Sequence, residues 1–165
     1  RMLKPFRVNI KVFSTRQNEE TAKELGFTYA SLEEIFKTCK IVSVHTASNE
    51  KTRHMINKTH FQMLREDAVF INTSRGAVID EEALIDALKN NQFRALLDVY
   101  NIEPLPKDSA LFNLPNVSLF PHQAGPTVDR RAPITNFLID DLESFLNGGG
   151  LRNEITADVA RSMTK

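Results

Sequence analysis

The chain has a single cysteine, Cys39, among 165 residues. That excludes an internal disulfide framework and fits a reducing compartment, so the cytoplasm is the expected location. Cys39 itself reads as filler at a helix end. Charge of one sign is lacking as well, with 21 Lys and Arg against 21 Asp and Glu. No net field draws the protein toward nucleic acid or an anionic membrane, and Arg130-Arg131 reads as a solvated helix face. No apolar run approaches the ~20 residues that span a bilayer, and the first residues do not read as a signal peptide, so a soluble protein is expected. The four histidines, His45, His54, His60 and His122, show no zinc-ligand spacing and have no cysteine pair to assist them, so no metal site is expected. What is present is 41% hydrophobic residues. A chain of this length can bury roughly 70% of its unfolded surface, and it reads as one ordinary domain with an appendage.

The stretch Ala68 to Gly76, Ala-Val-Phe-Ile-Asn-Thr-Ser-Arg-Gly, organises the rest. Its apolar half suits a strand covered on both faces, and the switch to Asn72, Thr73, Ser74 and Arg75 marks the strand's exit. Four further strands are expected: Val8 to Phe13, Ile41 to Val44, Ala95 to Val99 and Val117 to Phe120. Residues 1–6 read as the end of a helix already under way, halted by Pro5. Asn18 to Leu25 is a helix stopped by Gly26. Ser31 with Glu34 has capping-box spacing for a helix over Leu32 to Thr38, with Leu32, Ile35 and Phe36 as its buried stripe. Asn57 caps a helix through Leu64, and Asp80 caps one whose Ala83, Leu84, Ala87 and Leu88 face inward. Tyr100 to Asn116, with three prolines, reads as a long functional loop without structure of its own. A helix over Val128 to Leu146 ends at Gly148-Gly149-Gly150, and residues 155–165 are weakly patterned.

Strands alternating with helices imply an α/β fold with parallel pairing, the sheet covered by helices on both faces. In such sheets ligands sit outside the carboxyl ends of the strands. Five strands exit there into Ser14 to Arg16, His45-Thr46, Asn72 to Arg75, Asp98 and His122. Arg75, Glu103 and His122 fit one reaction together. Histidine moves a proton near neutral pH, and a carboxylate beside it orients the ring and favours its protonated form. Arginine offers a planar fork to the carboxylate or carbonyl oxygen of an α-keto acid. This is equipment for ketone reduction in which a nicotinamide supplies the hydride. From the residues alone, a plainer account stays open, with Arg75 a solvated loop residue, Glu103 a surface charge and His122 a loop histidine.

Beyond spacing, the chain resembles the D-isomer-specific 2-hydroxyacid dehydrogenases. The matching segments run along nearly all of it: Leu3-Lys4-Pro5-Phe6, Val44-His45 with Lys51 to Asn57, Ile71 to Gly76, Val78 to Glu81, Leu97 to Tyr100, Glu103 to Pro106, Leu114 to Val117 and Pro121 to Gly125. The resemblance implies a Rossmann-like parallel sheet over residues 1–126, a partial NAD(P)-binding domain truncated at its N-terminal side. Residues 127–165 would form a connecting helix and a C-terminal segment returning toward a substrate domain. It further implies Arg75 as the residue that orients substrate, Glu103 as the partner of the histidine, and His122 as the acid/base. Asp98 would receive the nicotinamide carboxamide. Thr73, Ser74 and the loop from His122 to Gly125 would line the ribose and ring, with His45 and Thr46 on the cofactor side of their strand. The formate dehydrogenases of the family carry glutamine where this chain has Glu103, which argues against that branch.

Two departures from the pattern matter. The family's Gly-x-Gly-x-x-Gly loop would lie just before Leu3, so the chain reads as the carboxy-terminal half of such an enzyme and is expected to bind dinucleotide poorly and turn over little by itself. At the exit of the first strand, Ser14 and Arg16 stand where the family usually has an aspartate for the adenine ribose. Losing a carboxylate and gaining a guanidinium favours NADP over NAD. The expected activity is NAD(P)-dependent interconversion of a small 2-keto acid and its D-2-hydroxy acid, in a homodimer. A contrasting function is a dinucleotide-sensing or dimerising module without turnover, as in the corepressors of this superfamily.

Overall fold

A computed structural model describes residues 2–90 and 93–163, apart from the side chains of Lys4 and Ser162. Its centre is a four-stranded parallel sheet of Rossmann-like type. The strands, in spatial order β3-β4-β5-β6, are β3 (Ile41–Val44), β4 (Val69–Asn72), β5 (Arg94–Leu97) and β6 (Val117–Leu119). Spatial and sequence order coincide, and each pairing is parallel. Val44, Asn72, Leu97 and Leu119 stand in one row across the sheet. All four strands therefore end together and release their following loops at one edge.

The first expected strand does not join this sheet. Instead β1 (Lys11–Val12) pairs in parallel with β2 (Thr28–Tyr29), forming a separate two-stranded sheet. Strand β2 was not anticipated, because two paired residues carry too little alternation to be seen. The exit at Ser14 to Arg16 thus belongs to a different sheet edge from the other four.

Local capping explains most helices. Helix α1 (Glu19–Leu25) starts under Asn18, whose side chain accepts the Thr21 amide, and ends at Gly26 in the left-handed region at φ 77°. Glycine adopts that conformation without the clash a Cβ would make. Helix α2 (Leu32–Thr38) begins with Ser31 accepting the Glu34 amide. The Glu34 carboxylate, however, accepts from Lys11 Nζ at 2.6 Å, tying α2 to β1. Helices α3 (Lys58–Met63) and α4 (Glu81–Asn90) are capped by Asn57 and Asp80, the latter accepting the Ala83 amide at 3.0 Å.

The core lies under the sheet's buried rows. Phe70 of β4 meets Phe61 of α3 edge-on at 5.4 Å, and Phe36 of α2 packs beside both; all three are fully buried. Leu84, Leu88 and Phe93 extend this cluster, and the four inward residues expected of α4 are buried. Burying one such aromatic contributes about 1.5–3 kcal/mol. Coverage of β4 is not symmetric. Phe70 and Asn72 are buried while Val69 and Ile71 on the opposite face stay half-buried, so the strand expected to be covered on both faces is only partly so on one.

Three further expectations are adjusted. Residues 4–6 form a single 3₁₀ turn ending at Arg7, which has a positive φ of 52°, and Arg1 lies outside the described residues. The loop after β5 has structure of its own: Ser109 caps a 3₁₀ turn (Ala110–Asn113) that seats Leu111 in the core. Helix α5 (Val128–Leu146) has the expected bounds, and its apolar residues Ile134, Phe137, Leu138, Leu142 and Phe145 are exposed. Residues 155–163 include a short α6 (Ala157–Ser162); residues 164–165 lie outside the described range. No described helix is long and apolar enough to cross a membrane.

His60 offers a test of this packing. Its ring lies against Phe36 at 5.3 Å, and its Nδ1 accepts the Asn57 amide at 3.3 Å to close the cap of α3. Burial holds its pKa below the ordinary value, against a smaller opposing pull from Glu33. The folded state therefore prefers the neutral ring. Stability from this group is complete above the unfolded value of about 6.5 and is lost as pH falls below it. Thermal melts from pH 7.5 to 5 should show the melting temperature falling over that interval. His60→Gln, which keeps an acceptor at the same capping position, should flatten the fall, and an unchanged slope would refute the assignment.

Candidate active site

Three of the four ends in the strand row carry the chemistry, and the local sequence shows how each is aimed. At the end of β4, the side chain of Asn72 is fully buried and folds the chain back on itself. Its Oδ1 accepts both the amide and the hydroxyl of Ser74, at 3.1 and 3.0 Å, and its Nδ2 donates to the Arg75 carbonyl at 3.1 Å. Arg75 is thereby turned outward, with Nη1 donating to the Ser74 carbonyl at 2.7 Å, and it is exposed. Thr73 is exposed beside it.

Next comes a close approach of backbones. A Cβ on Gly76 would lie 2.0 Å from the Tyr100 carbonyl carbon and oxygen and 2.5 Å from the Asn101 nitrogen. Only glycine fits, and its absent side chain lets the exit of β4 lie flat against the exit of β5. Glu81 at the start of α4 fixes the same place by accepting the Asn101 amide at 3.0 Å.

Glu103 follows in the β5 loop. Its Oε1 accepts the Tyr100 amide at 3.0 Å, and its Oε2 lies 2.6 Å from His122 Nδ1, a short hydrogen bond. Partial burial alone would raise the Glu103 pKa. The His122 hydrogen bond, the Tyr100 amide and the charges of His122 and Arg75 outweigh it and lower the value. Glu103 is thus a carboxylate at neutral pH, and Arg75 is near enough for its charge to act there.

His122 leaves the end of β6 with a φ of 52°, in the left-handed region. That conformation costs a residue with a side chain roughly 1–2 kcal/mol. Asp98, only 3% exposed, holds the segment that follows: its Oδ1 accepts the Gln123 amide and its Oδ2 the Ala124 amide, each at 2.8 Å. A carboxylate has about four lone-pair sites, so this bracing leaves acceptor capacity for a ligand N–H. Gly125 has open space around its α-carbon. A groove of about 590 Å³ is lined by Glu103 and His122 together with Leu105, Phe112, Leu119 and Phe120.

The remaining candidates are more dispersed. Ser14 Oγ donates to the Arg16 carbonyl at 2.8 Å and accepts its amide at 3.1 Å, a compact turn at the end of β1. His45 follows β3, its Nε2 2.9 Å from Ser43 Oγ, and Thr46 is half-buried next to it. Arg75, Glu103, His122 and Asp98 are therefore brought together, whereas Ser14 and Arg16 sit at the separate two-stranded sheet. Among the described residues no group of three or more His, Cys, Asp or Glu is arranged to hold a metal ion. Sequence reasoning missed Asn72, Gly76 and Tyr100 as builders of the site. A polar residue closing an apolar strand, and a glycine directly after the arginine, were the signals available.

Comparison with known proteins gives a consistent picture. The model of the D-isomer specific 2-hydroxyacid dehydrogenase NAD binding domain matches residues 1–124. A glyoxylate reductase of Korarchaeum cryptofilum is 34% identical over 162 residues, 98% of this chain and 49% of that protein. The apo form of D-mandelate dehydrogenase of Rhodotorula graminis superposes with a TM-score of 0.82 at 28% identity, covering 92% of this chain and 45% of that one. A D-isomer specific 2-hydroxyacid dehydrogenase of Xanthobacter autotrophicus, in complex with NADPH and MES, gives 0.74 at 29% identity over 90% of this chain and 61% of that one. The chain spans about half the length of the curated relatives it matches.

The Gly76 contact sets a direct test. Gly76→Ala forces backbone apart from backbone, with no flexible side chain to give way, and should destabilise the protein by about 3 kcal/mol, the upper end of the usual cost of overpacking. Urea denaturation of the variant beside the parent measures this, and a difference within experimental error would remove the constraint on which the site's geometry rests.

Proposed function

The chain belongs to the D-isomer specific 2-hydroxyacid dehydrogenases, and we propose that it carries the acid/base machinery of an NAD(P)-dependent oxidoreductase interconverting a small 2-keto acid and its D-2-hydroxy acid. The observation that carries the reading is the 2.6 Å contact between His122 Nδ1 and Glu103 Oε2. With Nδ1 bound to the carboxylate, Nε2 is the nitrogen left to exchange a proton with substrate. Glu103 fixes the orientation of the ring, and Arg75 offers two parallel donors to the substrate carboxylate or carbonyl oxygen.

A bound nicotinamide supplies the hydride that reduces the carbonyl carbon. The residues here fit such a group: Asp98 keeps acceptor capacity for a carboxamide, and the loop through Gly125 leaves space beside it. In the reducing direction His122 gives its proton to the substrate oxygen as the carbonyl becomes a hydroxyl; in the oxidising direction the unprotonated ring takes it back. Arg75 steadies the negative charge that develops on that oxygen. Thr73, Ser74, His45 and Thr46 are proposed to flank the dinucleotide. Glyoxylate and hydroxypyruvate are the first substrates to assay, in keeping with the names of relatives in this family.

Ser14 and Arg16 favour NADP. At the exit of β1 a hydroxyl-bearing turn replaces the carboxylate that would repel a 2′-phosphate, and a guanidinium lies within the same turn. We further propose a cytoplasmic homodimer, with residues 1–126 as the dinucleotide-binding part and α5 onward as a connection to the substrate-binding part. The 165-residue chain alone, without a glycine-rich phosphate loop, should bind dinucleotide weakly. The paired His122 and Glu103 favour turnover over a purely sensing role, since a sensor has no use for an oriented proton donor.

Two measurements on the full-length enzyme test the reading. His122→Ala should lower kcat by ~10² to 10⁴, the span general acid/base catalysis provides, and a loss under tenfold would count against the assigned role. The ratio of kcat/KM for NADPH over NADH should exceed one by roughly 10- to 100-fold, the worth of one or two charge-assisted hydrogen bonds, whereas a preference for NADH would sink the cofactor assignment.

A further inference from the structure

Tyr100 touches the loops that bear Arg75, Glu103 and His122. It lies just beyond β5, the strand between β4 and β6. Its carbonyl is the group against which Gly76 packs, next to Arg75. Its amide N–H donates to Glu103 Oε1 at 3.0 Å. Its side chain reaches the residue just past β6: the hydroxyl sits 2.8 Å from the Phe120 carbonyl and 3.1 Å from the carbonyl of Leu97 in β5, and it shares the Phe120 amide, at 3.1 Å, with that Leu97 carbonyl, at 2.9 Å. Phe120 is two residues before His122.

We propose that Tyr100 is the positioning residue of the His122–Glu103 pair, its amide fixing the carboxylate while its phenol fixes the stem from which the imidazole projects. Two features support the division. The residue is 7% exposed, so its hydroxyl has protein partners in place of solvent. Burial also pushes the phenol's pKa up, against the opposing Phe120 hydrogen bond, so the hydroxyl keeps its proton and remains a donor at neutral pH. The segment it steadies is the one that needs steadying. His122 occupies a left-handed conformation that is unfavourable for a side-chain-bearing residue, and Asp98 holds it only from the downstream side, at Gln123 and Ala124. Upstream, the Phe120 amide is tied to the Leu97 carbonyl at 2.9 Å, and the Tyr100 phenol adds the hold on the Phe120 carbonyl. Between these two clamps lie only Pro121 and His122.

The inference rests on the acid/base reading of His122 for its kinetic consequence but not for its geometric one, and the two can be read separately. Tyr100→Phe keeps the ring, the packing and the amide bond to Glu103, and removes only the phenol's bonds to Phe120 and Leu97. The imidazole ¹⁵N shifts of His122 in the 165-residue chain, assigned by their loss in His122→Gln, report which ring nitrogen carries the proton. In the parent they should show Nδ1–H pinned toward Glu103; in Tyr100→Phe they should show a mixture of the two tautomers. In the full-length enzyme the same substitution should lower kcat by roughly tenfold, within the range that small misplacements cost, with KM for the cofactor changed less than about twofold. Unchanged ¹⁵N shifts overturn the proposal whatever happens to kcat. A changed tautomer balance in a protein without turnover upholds the positioning role and fails the acid/base reading instead. Should Tyr100→Phe not fold, incorporation of 3-fluorotyrosine in a Tyr29→Phe background keeps the hydroxyl while strengthening it as a donor. The His122 shifts should then move with the fold intact, and their constancy would again overturn the role.

Discussion

The site depends on a place where there is no room. At Gly76 the backbone leaving β4 lies against the Tyr100–Asn101 peptide leaving β5, closer than any side chain permits. Because Asn72, Leu97 and Leu119 stand in one row, the three loops start level, and this contact sets how near the first two run. Arg75 and Glu103 can then share an electrostatic environment although 28 positions separate them in the chain (103 − 75 = 28). Burial of Asn72 serves the same end. A fully buried amide is costly unless its groups are bonded, and here each bond made by that side chain shapes the turn that turns Arg75 outward.

Much of this was legible beforehand, and the physical reason is that the informative signals were local. Ser31, Asn57 and Asp80 each cap the helix expected of them, since a capping side chain acts within three residues of its own position. The strand at Ile41–Val44 and the burial of Phe70 in the apolar half of β4 agree with the apolar patterning. What was illegible depends on contacts distant in sequence. Strand β2 is defined only by its partner, two residues of it pairing with β1. The seat of Leu111 in the core gives structure to a proline-bearing loop that composition alone reads as irregular. The phenol of Tyr100 reaching Phe120 spans 20 positions and leaves no mark in any short window.

The same limits apply to the site residues. Residue type singled out Arg75, Glu103 and His122, and the structure brings His122 and Glu103 into direct contact with the Arg75 charge close by. Residue type could not show that Asp98 spends both carboxylate oxygens on backbone amides. Ser14 and Arg16 were grouped with the others because their strand was expected in the same sheet, and that grouping failed with the pairing of β1 to β2.

Asp98 has a counterpart that clarifies what such carboxylates do. Asp141, the one buried residue of α5, accepts the Arg152 amide at 3.2 Å and the Asn153 amide at 3.1 Å, one oxygen to each, and these bonds lower its pKa. In both places one aspartate binds two consecutive backbone amides of a segment that has just left regular structure, and in both it substitutes for a missing secondary-structure ladder. A backbone so held gains direction without gaining length. For Asp141 the result is a returning strand of chain pinned beneath a helix whose apolar stripe stays exposed. For Asp98 it is a histidine kept in a left-handed conformation, its ring turned to a carboxylate that arrives from the neighbouring strand. The device is the same, and only the residue standing beside it, His122, makes one of them a candidate for chemistry.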